Sequence, residues 1–201
     1  MIALIDYGIG NLRSVEKALT AVGAVVRLTS NPETIQRADK VVLPGVGAFG
    51  DGMAGLEAAG LTDVLRRIAA QGMPLLGICL GMQLLFEGGE EYGDHAGLGL
   101  LPGHVQRFPT EGLKIPHTGW NRILPCQETP LLHGLQGGDY AYFNHSYYCD
   151  AGPDQTLAET DYGLRFPSVV GRGTLYGVQF HPEKSQNVGL AILRNFLERC
   201  G

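Results

Sequence analysis

The sequence predicts an α/β fold: a mixed, mainly parallel sheet flanked by helices, with a β-rich C-terminal half. Three observations carry this. Through the first half, short apolar runs alternate with segments of helical period, the pattern of a parallel sheet covered by helices. From about Leu98 the pattern changes to strand-like runs broken by Gly and Pro. Between the two, an apolar run ends in Gly77-Ile78-Cys79-Leu80-Gly81, a form in which a strand turns sharply into a helix.

Taken in order, Ile2 to Ile5 reads as a buried strand, followed by a turn at Gly8-Ile9-Gly10. Leu12, Val15, Leu19 and Val22 then recur at three- and four-residue spacing, which places them on one helix face. Val25 to Leu28 and Lys40 to Leu43 are the next two strands. Leu61, Val64, Leu65 and Ile68 form another helix face, Pro74 to Ile78 a strand, and a helix is expected just after Cys79. In the second half, Val105 to Phe108, Tyr140 to Tyr148 and Thr174 to Phe180 read as strands. Leu190, Leu193, Phe196 and Leu197 give Val188 to Cys200 helical spacing, so the chain closes on a docking helix.

At 201 residues and 44% hydrophobic content the chain can bury a sizeable core, and no linker divides it, so one domain over residues 1–201 is expected. A formal charge of −5 without a dense Lys/Arg run argues against nucleic acid or an anionic membrane as the main partner. The N-terminus has no cationic lead, and no apolar run approaches the roughly 20 residues that span a bilayer. The expectation is a soluble, cytoplasmic chain. The four cysteines, at 79, 126, 149 and 200, have no metal-ligand spacing and are expected to be reduced; no metal or cofactor is expected.

The Gly-x-Cys-x-Gly pattern makes Cys79 the candidate nucleophile, because the turn projects the middle side chain from the sheet at the positive end of a helix. Four cysteines and 30 glycines in 201 residues give about 0.09 chance matches, so the placement at a strand end strengthens the signal. A thiol nucleophile needs an imidazole. His181 is the candidate base because it ends the β-rich run Leu175 to Phe180 and precedes Pro182-Glu183. In an extended segment residues two apart share a face, so Glu183 can orient the imidazole. His145, inside Tyr142-Phe143-Asn144-His145-Ser146-Tyr147, is the rival base.

Acyl transfer also needs donors for an oxyanion. Leu80 N–H supplies one, and Val46 N–H, between Gly45 and Gly47 after the strand Val41 to Leu43, supplies the other. The Gly8-Ile9-Gly10-Asn11 turn lacks the third glycine of a dinucleotide fingerprint and the Gly-Lys-Ser/Thr of a P-loop, so no nucleotide is assigned to it.

These residues resemble the triad glutamine amidotransferases over nearly the whole chain, through Pro44-Gly45-Val46-Gly47, Gly77 to Gln83 and His181-Pro182-Glu183. Within that family the pattern is similar to the glutaminase subunits of imidazole glycerol phosphate synthases. That similarity rests on Asp6 to Ser14, Gly81-Met82-Gln83, Pro116-His117-Thr118-Gly119-Trp120-Asn121 and His181 to Ser185. Asn144 departs from the apolar residue many relatives carry there.

The resemblance implies that Gln83 and Glu91 hold glutamine, together with Gly45, Gly47 and backbone near His145, Ser146 and Tyr147. It also implies that Asn11, Trp120, Asn121 and Lys184 face a synthase partner. The implied reaction releases ammonia from glutamine to a (β/α)₈ synthase (cyclase) subunit of histidine synthesis. That barrel needs about 250 residues of its own, so it must be a separate chain. A Cys-His γ-glutamyl hydrolase or peptidase on the same elbow, and a non-catalytic interaction module, are the competing readings.

Overall fold

The computed structural model describes Met1 to Gly201. Its first half runs β1 (Ile2–Ile5), α1 (Leu12–Ala21), β2 (Val26–Thr29), α2 (Pro32–Gln36) and β3 (Lys40–Leu43). There follow α3 (Phe49–Ala58), α4 (Thr62–Ala70), β4 (Leu75–Ile78) and the single turn α5 (Leu80–Gln83). The second half is strand-rich, with β5 (Phe86–Gly89), β6 (His95–Ala96), β7 (Leu101–Arg107), β8 (His117–Arg122) and β9 (Leu124–Pro125). Next come β10 (Tyr140–His145), β11 (Tyr147–Asp150), β12 (Thr156–Asp161), β13 (Arg165–Arg172), β14 (Leu175–Val178) and the closing helix α6 (Gln186–Arg199).

Eight strands form the central sheet in the order β2-β1-β3-β4-β14-β13-β12-β9. The pairs from β2 through β14 are parallel, and β13, β12 and β9 are added antiparallel, which is the mixed sheet the sequence predicts. Alternation along each strand supplies two faces. Ile2 and Leu4 of β1 point to one core with α1 and α6, while Ala3 and Ile5 point to another with α3 and α4. Burying side chains such as Leu19, Phe196, Leu56 and Ile68, all inaccessible, stabilises the layers by roughly 1.5–3 kcal/mol each. No helix is long and apolar enough to cross a membrane.

Two smaller sheets, β10-β8 and β11-β7-β5-β6, lie outside the central one. They explain where the observed elements depart from the expected ones. The Tyr140 to Tyr148 run breaks at Ser146 because its halves pair with different strands, β10 with β8 and β11 with β7. The helix after Cys79 lasts one turn, because the Leu85 carbonyl is taken by the Leu100 and Leu101 amides and the chain leaves for β5. Strand β2 starts one residue late: Val25 lies before this edge strand and is 72% exposed.

One register matters most for the site. Strands β4 and β14 are parallel neighbours with Gly77 opposite Gly177 and Ile78 opposite Val178. Cys79 and the His181 corner, about a hundred positions apart, therefore leave the sheet at the same edge.

Candidate active site

Cys79 follows β4 with φ +54° and ψ −112°, a left-handed conformation unusual for a residue with a side chain. It is held from both sides. Its N–H donates to the Val178 carbonyl at 2.8 Å, and its own carbonyl accepts from Met82 N at 3.0 Å and Gln83 N at 3.2 Å. The flanking glycines are obligatory as well as permissive. A Cβ on Gly77 would stand 2.6 Å from the Gly81 oxygen, and one on Gly81 would overlap the Leu43 carbonyl.

His181 stands beside this thiol, buried, with Nδ1 2.9 Å from Glu183 Oε1. The contact does not come from an extended segment, as the spacing suggests. Only His181 itself is extended; Pro182–Lys184 is a 3₁₀ turn, closed by Lys184 N donating to the His181 carbonyl at 3.0 Å. Proline at the first position suits that turn because it has no N–H to leave unpaired. Burial works against the imidazolium, but hydrogen bonds and charge from Cys79 and Glu183 outweigh it and hold the His181 pKa up at about 10.

The Pro44 to Gly47 loop leaves β3 at the same edge. Gly45 is packed where a Cβ would meet the Tyr7 hydroxyl at 2.5 Å, and Gly47 has φ +99°, so the loop needs both glycines. Val46 N–H has no main-chain acceptor, and Leu80 N–H, at the first position of α5, has none within its helix. Thiol, imidazole and these two residues line a cavity of about 350 Å³. A larger groove of about 930 Å³, between β9 and the end of α6, contains none of the candidate catalytic side chains.

The arrangement combines a strained thiol, a charged imidazole and free main-chain donors around one cavity, which is equipment for acyl transfer. The class-I glutamine amidotransferase family matches residues 3–200. The chain is 53% identical over 197 residues to imidazole glycerol phosphate synthase subunit HisH of Desulfitobacterium hafniense (strain Y51), covering 98% of this chain and 93% of that one. Against the subunit of the same name from Bacillus cereus (strain B4264) it is 51% identical over 196 residues, with the same coverage. The chain belongs to the class-I glutamine amidotransferases. Its fold agrees: a crystal structure of a glutamine amidotransferase superposes with TM-score 0.78 at 21% identity, covering 98% of both chains. A glutamine amidotransferase from Thermotoga maritima gives 0.70 at 15%, covering 99% of this chain and 96% of that one.

The remaining residues of this amidotransferase divide by what they touch. Gly47, Gln83, Glu91, His145, Ser146 and Tyr147 line the cavity; Gly45 does not, because it is packed behind the loop against Tyr7 and Leu80. Glu91 Oε2 accepts the Phe49 N–H at 2.9 Å, the first amide of α3, while burial raises its pKa. Both protons of the Gln83 amide nitrogen are engaged within the chain, on the Tyr147 carbonyl at 3.2 Å and Gln179 Oε1 at 3.1 Å. Asn144 accepts from Thr118 Oγ1 across the β10–β8 pair at 3.0 Å.

His145 has neither carboxylate nor thiol beside it. Its Nδ1 faces the Tyr147 carbonyl at 2.7 Å and its Nε2 faces His117 Nδ1 at 2.9 Å, and burial pushes its pKa down to about 3. On the outer surface Asn11 and Lys184 are exposed and Trp120 is 47% exposed; the Lys184 ammonium lies 5.5 Å from the Tyr142 ring. Asn121, expected with them, turns its amide inward instead, to His117 Nε2 at 3.2 Å and the Asp161 carbonyl at 2.9 Å. No group of three His, Cys, Asp or Glu side chains converges as a metal site.

Two roles escape a reading of motifs. Gln179 reaches the thiol, and His117, within the Pro116 to Asn121 motif, anchors His145. A signal for the first was present: Gln179 lies two positions before His181, so at the end of a strand the two can share a face.

Proposed function

We infer that this chain is the glutaminase subunit of an imidazole glycerol phosphate synthase, acting as one domain through the triad Cys79, His181 and Glu183. The observation that carries the assignment of roles is the meeting of the strained Cys79 turn with His181 in the wall of one cavity, Glu183 holding the imidazole from behind. The roughly half-identical relatives, which are synthase subunits, favour this reading over a γ-glutamyl hydrolase.

His181, held by Glu183 beside the thiol, takes the Cys79 proton and leaves a thiolate–imidazolium pair. The sulfur attacks the carboxamide carbon of glutamine, and the carbonyl π electrons move to oxygen, which Val46 N–H and Leu80 N–H stabilise. Collapse of that intermediate breaks the C–N bond, and His181 gives its proton to the leaving nitrogen, releasing ammonia and a γ-glutamyl thioester. Neutral His181 then takes a proton from water, whose oxygen attacks the thioester; glutamate leaves and the ion pair is restored. Glu183 faces Nδ1 throughout and holds the ring. Glu91, Gln83 and the His145 to Tyr147 backbone would hold the amino-acid portion and head group.

Ammonia freed into neutral water is protonated and loses its nucleophilicity, so a use for it must be close at hand. We assign that use to a separate (β/α)₈ cyclase chain in the cytoplasm, facing Asn11, Trp120 and Lys184. The test compares nitrogen donors in the complex. Cys79→Ala is expected to abolish glutamine-dependent synthesis and to leave ammonia-dependent synthesis intact; equal loss with both donors would refute the assignment.

A further inference from the structure

A chain of hydrogen bonds crosses the floor of the site, and its directions are set by one main-chain carbonyl. The Tyr147 carbonyl can only accept, so both groups facing it donate: His145 Nδ1–H at 2.7 Å and the Gln83 amide nitrogen at 3.2 Å. The second proton of that nitrogen points to Gln179, 3.1 Å away, which must present its oxygen there. The other end of the Gln179 amide is then the NH₂ group, and it lies 3.8 Å from Cys79 Sγ. Gln179 is inaccessible to solvent and Gln83 nearly so, so neither amide can turn over without leaving a buried polar group unpaired.

The same carbonyl orders the histidines behind it. With Nδ1–H committed, neutral His145 has only an acceptor at Nε2, so His117 donates from Nδ1 and receives the Asn121 amide at Nε2. The relay adds no charge to the site. Besides His145, the titratable groups around the thiol are His181 with Glu183 behind it, Glu91, Tyr92 and Tyr147 in the same cavity, and the Tyr7 phenol and Cys149 thiol; burial raises the last two and keeps them neutral.

We propose that Gln179 is a further catalytic residue, which donates an N–H to the Cys79 sulfur and favours its thiolate, with Gln83 fixing the direction of that donation. His181 supplies charge on one side of the sulfur and Gln179 a neutral donor on another. A donor held to the thiolate also opposes protonation of the sulfur between turnovers. The proposal rests on Cys79 being the nucleophile.

The experiment measures iodoacetamide alkylation of Cys79 in the full chain against pH, read by peptide mass so that exposed Cys126 does not interfere. Gln179→Met keeps length and removes the donor; Gln179→Glu keeps shape and faces the sulfur with a carboxylate. The alkylation midpoint should rise by about one to two pH units in Gln179→Met and further in Gln179→Glu. In the complex, Gln179→Met should lower kcat for glutamine about 10- to 100-fold with KM little changed. In the unmutated chain, the Gln179 side-chain amide resonances should shift with the same pH midpoint as alkylation, which keeps the proposal testable if a variant fails to fold. Folded variants with an unchanged midpoint, or amide resonances that ignore the thiol titration, would overturn it. If Cys79→Ala still hydrolyses glutamine, the nucleophile assignment itself falls; if Cys79→Ala is inactive while the Gln179 variants behave as wild type, only Gln179 is wrong.

Discussion

Two buried histidines face the same cavity and are held in opposite states. His181 sits on the corner after β14 with a carboxylate 2.9 Å from Nδ1, and its pKa is raised to about 10. His145 sits at the end of β10 with a carbonyl 2.7 Å from Nδ1, and its pKa is lowered to about 3. Burial opposes the charged form in both. The difference lies in the partner: a carboxylate and a thiolate can repay the loss of water around an imidazolium, whereas a carbonyl and a second imidazole cannot. Depth in the protein therefore does not identify a base; the groups on its two nitrogens do.

The largest effect should come from exchanging the two residues as targets. His181→Ala is expected to lower glutamine-dependent turnover by roughly 10⁴- to 10⁶-fold, with no further loss when combined with Cys79→Ala, because members of one catalytic unit fail together. His145→Gln should lower it by no more than about 10²-fold, through displaced backbone at Tyr147. Steady-state glutamate production in the complex reads both. A folded His145→Gln as inactive as His181→Ala would erase the contrast and restore His145 as the base.

A smaller effect concerns the negative charge that forms on the carboxamide oxygen when the sulfur attacks. Val46→Pro removes one of the two main-chain donors and should cut glutamine turnover about 10²- to 10³-fold while glutamine still binds. Binding by calorimetry and turnover by glutamate release separate these terms. Turnover near wild type in a folded variant would take Val46 N–H out of the oxyanion site.

The smallest effect is on stability, and its sign differs between the two histidines. The folded pKa of His145 lies below the roughly 6.5 of an unfolded chain, so the unfolded state takes up a proton the folded state refuses. Its contribution is present above pH 6.5 and is lost as the pH falls toward about 3. His181 is the reverse: its contribution is complete below pH 6.5 and is lost as the pH rises toward about 10. Urea midpoints between pH 4 and 9.5 should show a shallower acid limb in His145→Gln and a shallower alkaline limb in His181→Gln. Parallel pH profiles for the two variants would contradict the assigned states.

Some features escaped the sequence for identifiable reasons. Helix α3 carries glycines at 50, 52 and 55, which lower its helical signal, yet it forms because Phe49, Met53 and Leu56 are buried against the sheet. The inward turn of Asn121 could not be read from Trp120-Asn121, since it depends on His117 and the Asp161 carbonyl, which lies on another strand. The position of Gln179, two before His181, hinted at the site, but the direction of its amide is set by Gln83, 96 positions away.

What the sequence determined by itself was local. The Gly77 to Gly81 turn, the Pro44 to Gly47 loop and the His181–Glu183 spacing are written in consecutive residues, because steric limits on φ and the reach of a side chain act over a few positions. Alternating apolar periods were enough to predict a mixed sheet with helices on its faces, since burial follows period. Tertiary structure decided everything that depends on which strands are neighbours. The β4–β14 register brings the thiol to its imidazole, and the β10–β8 pairing sets one histidine against another. Protonation states followed from those pairings, because a charge in a buried site is stabilised by what stands within a few ångströms of it, and that neighbour comes from distant sequence.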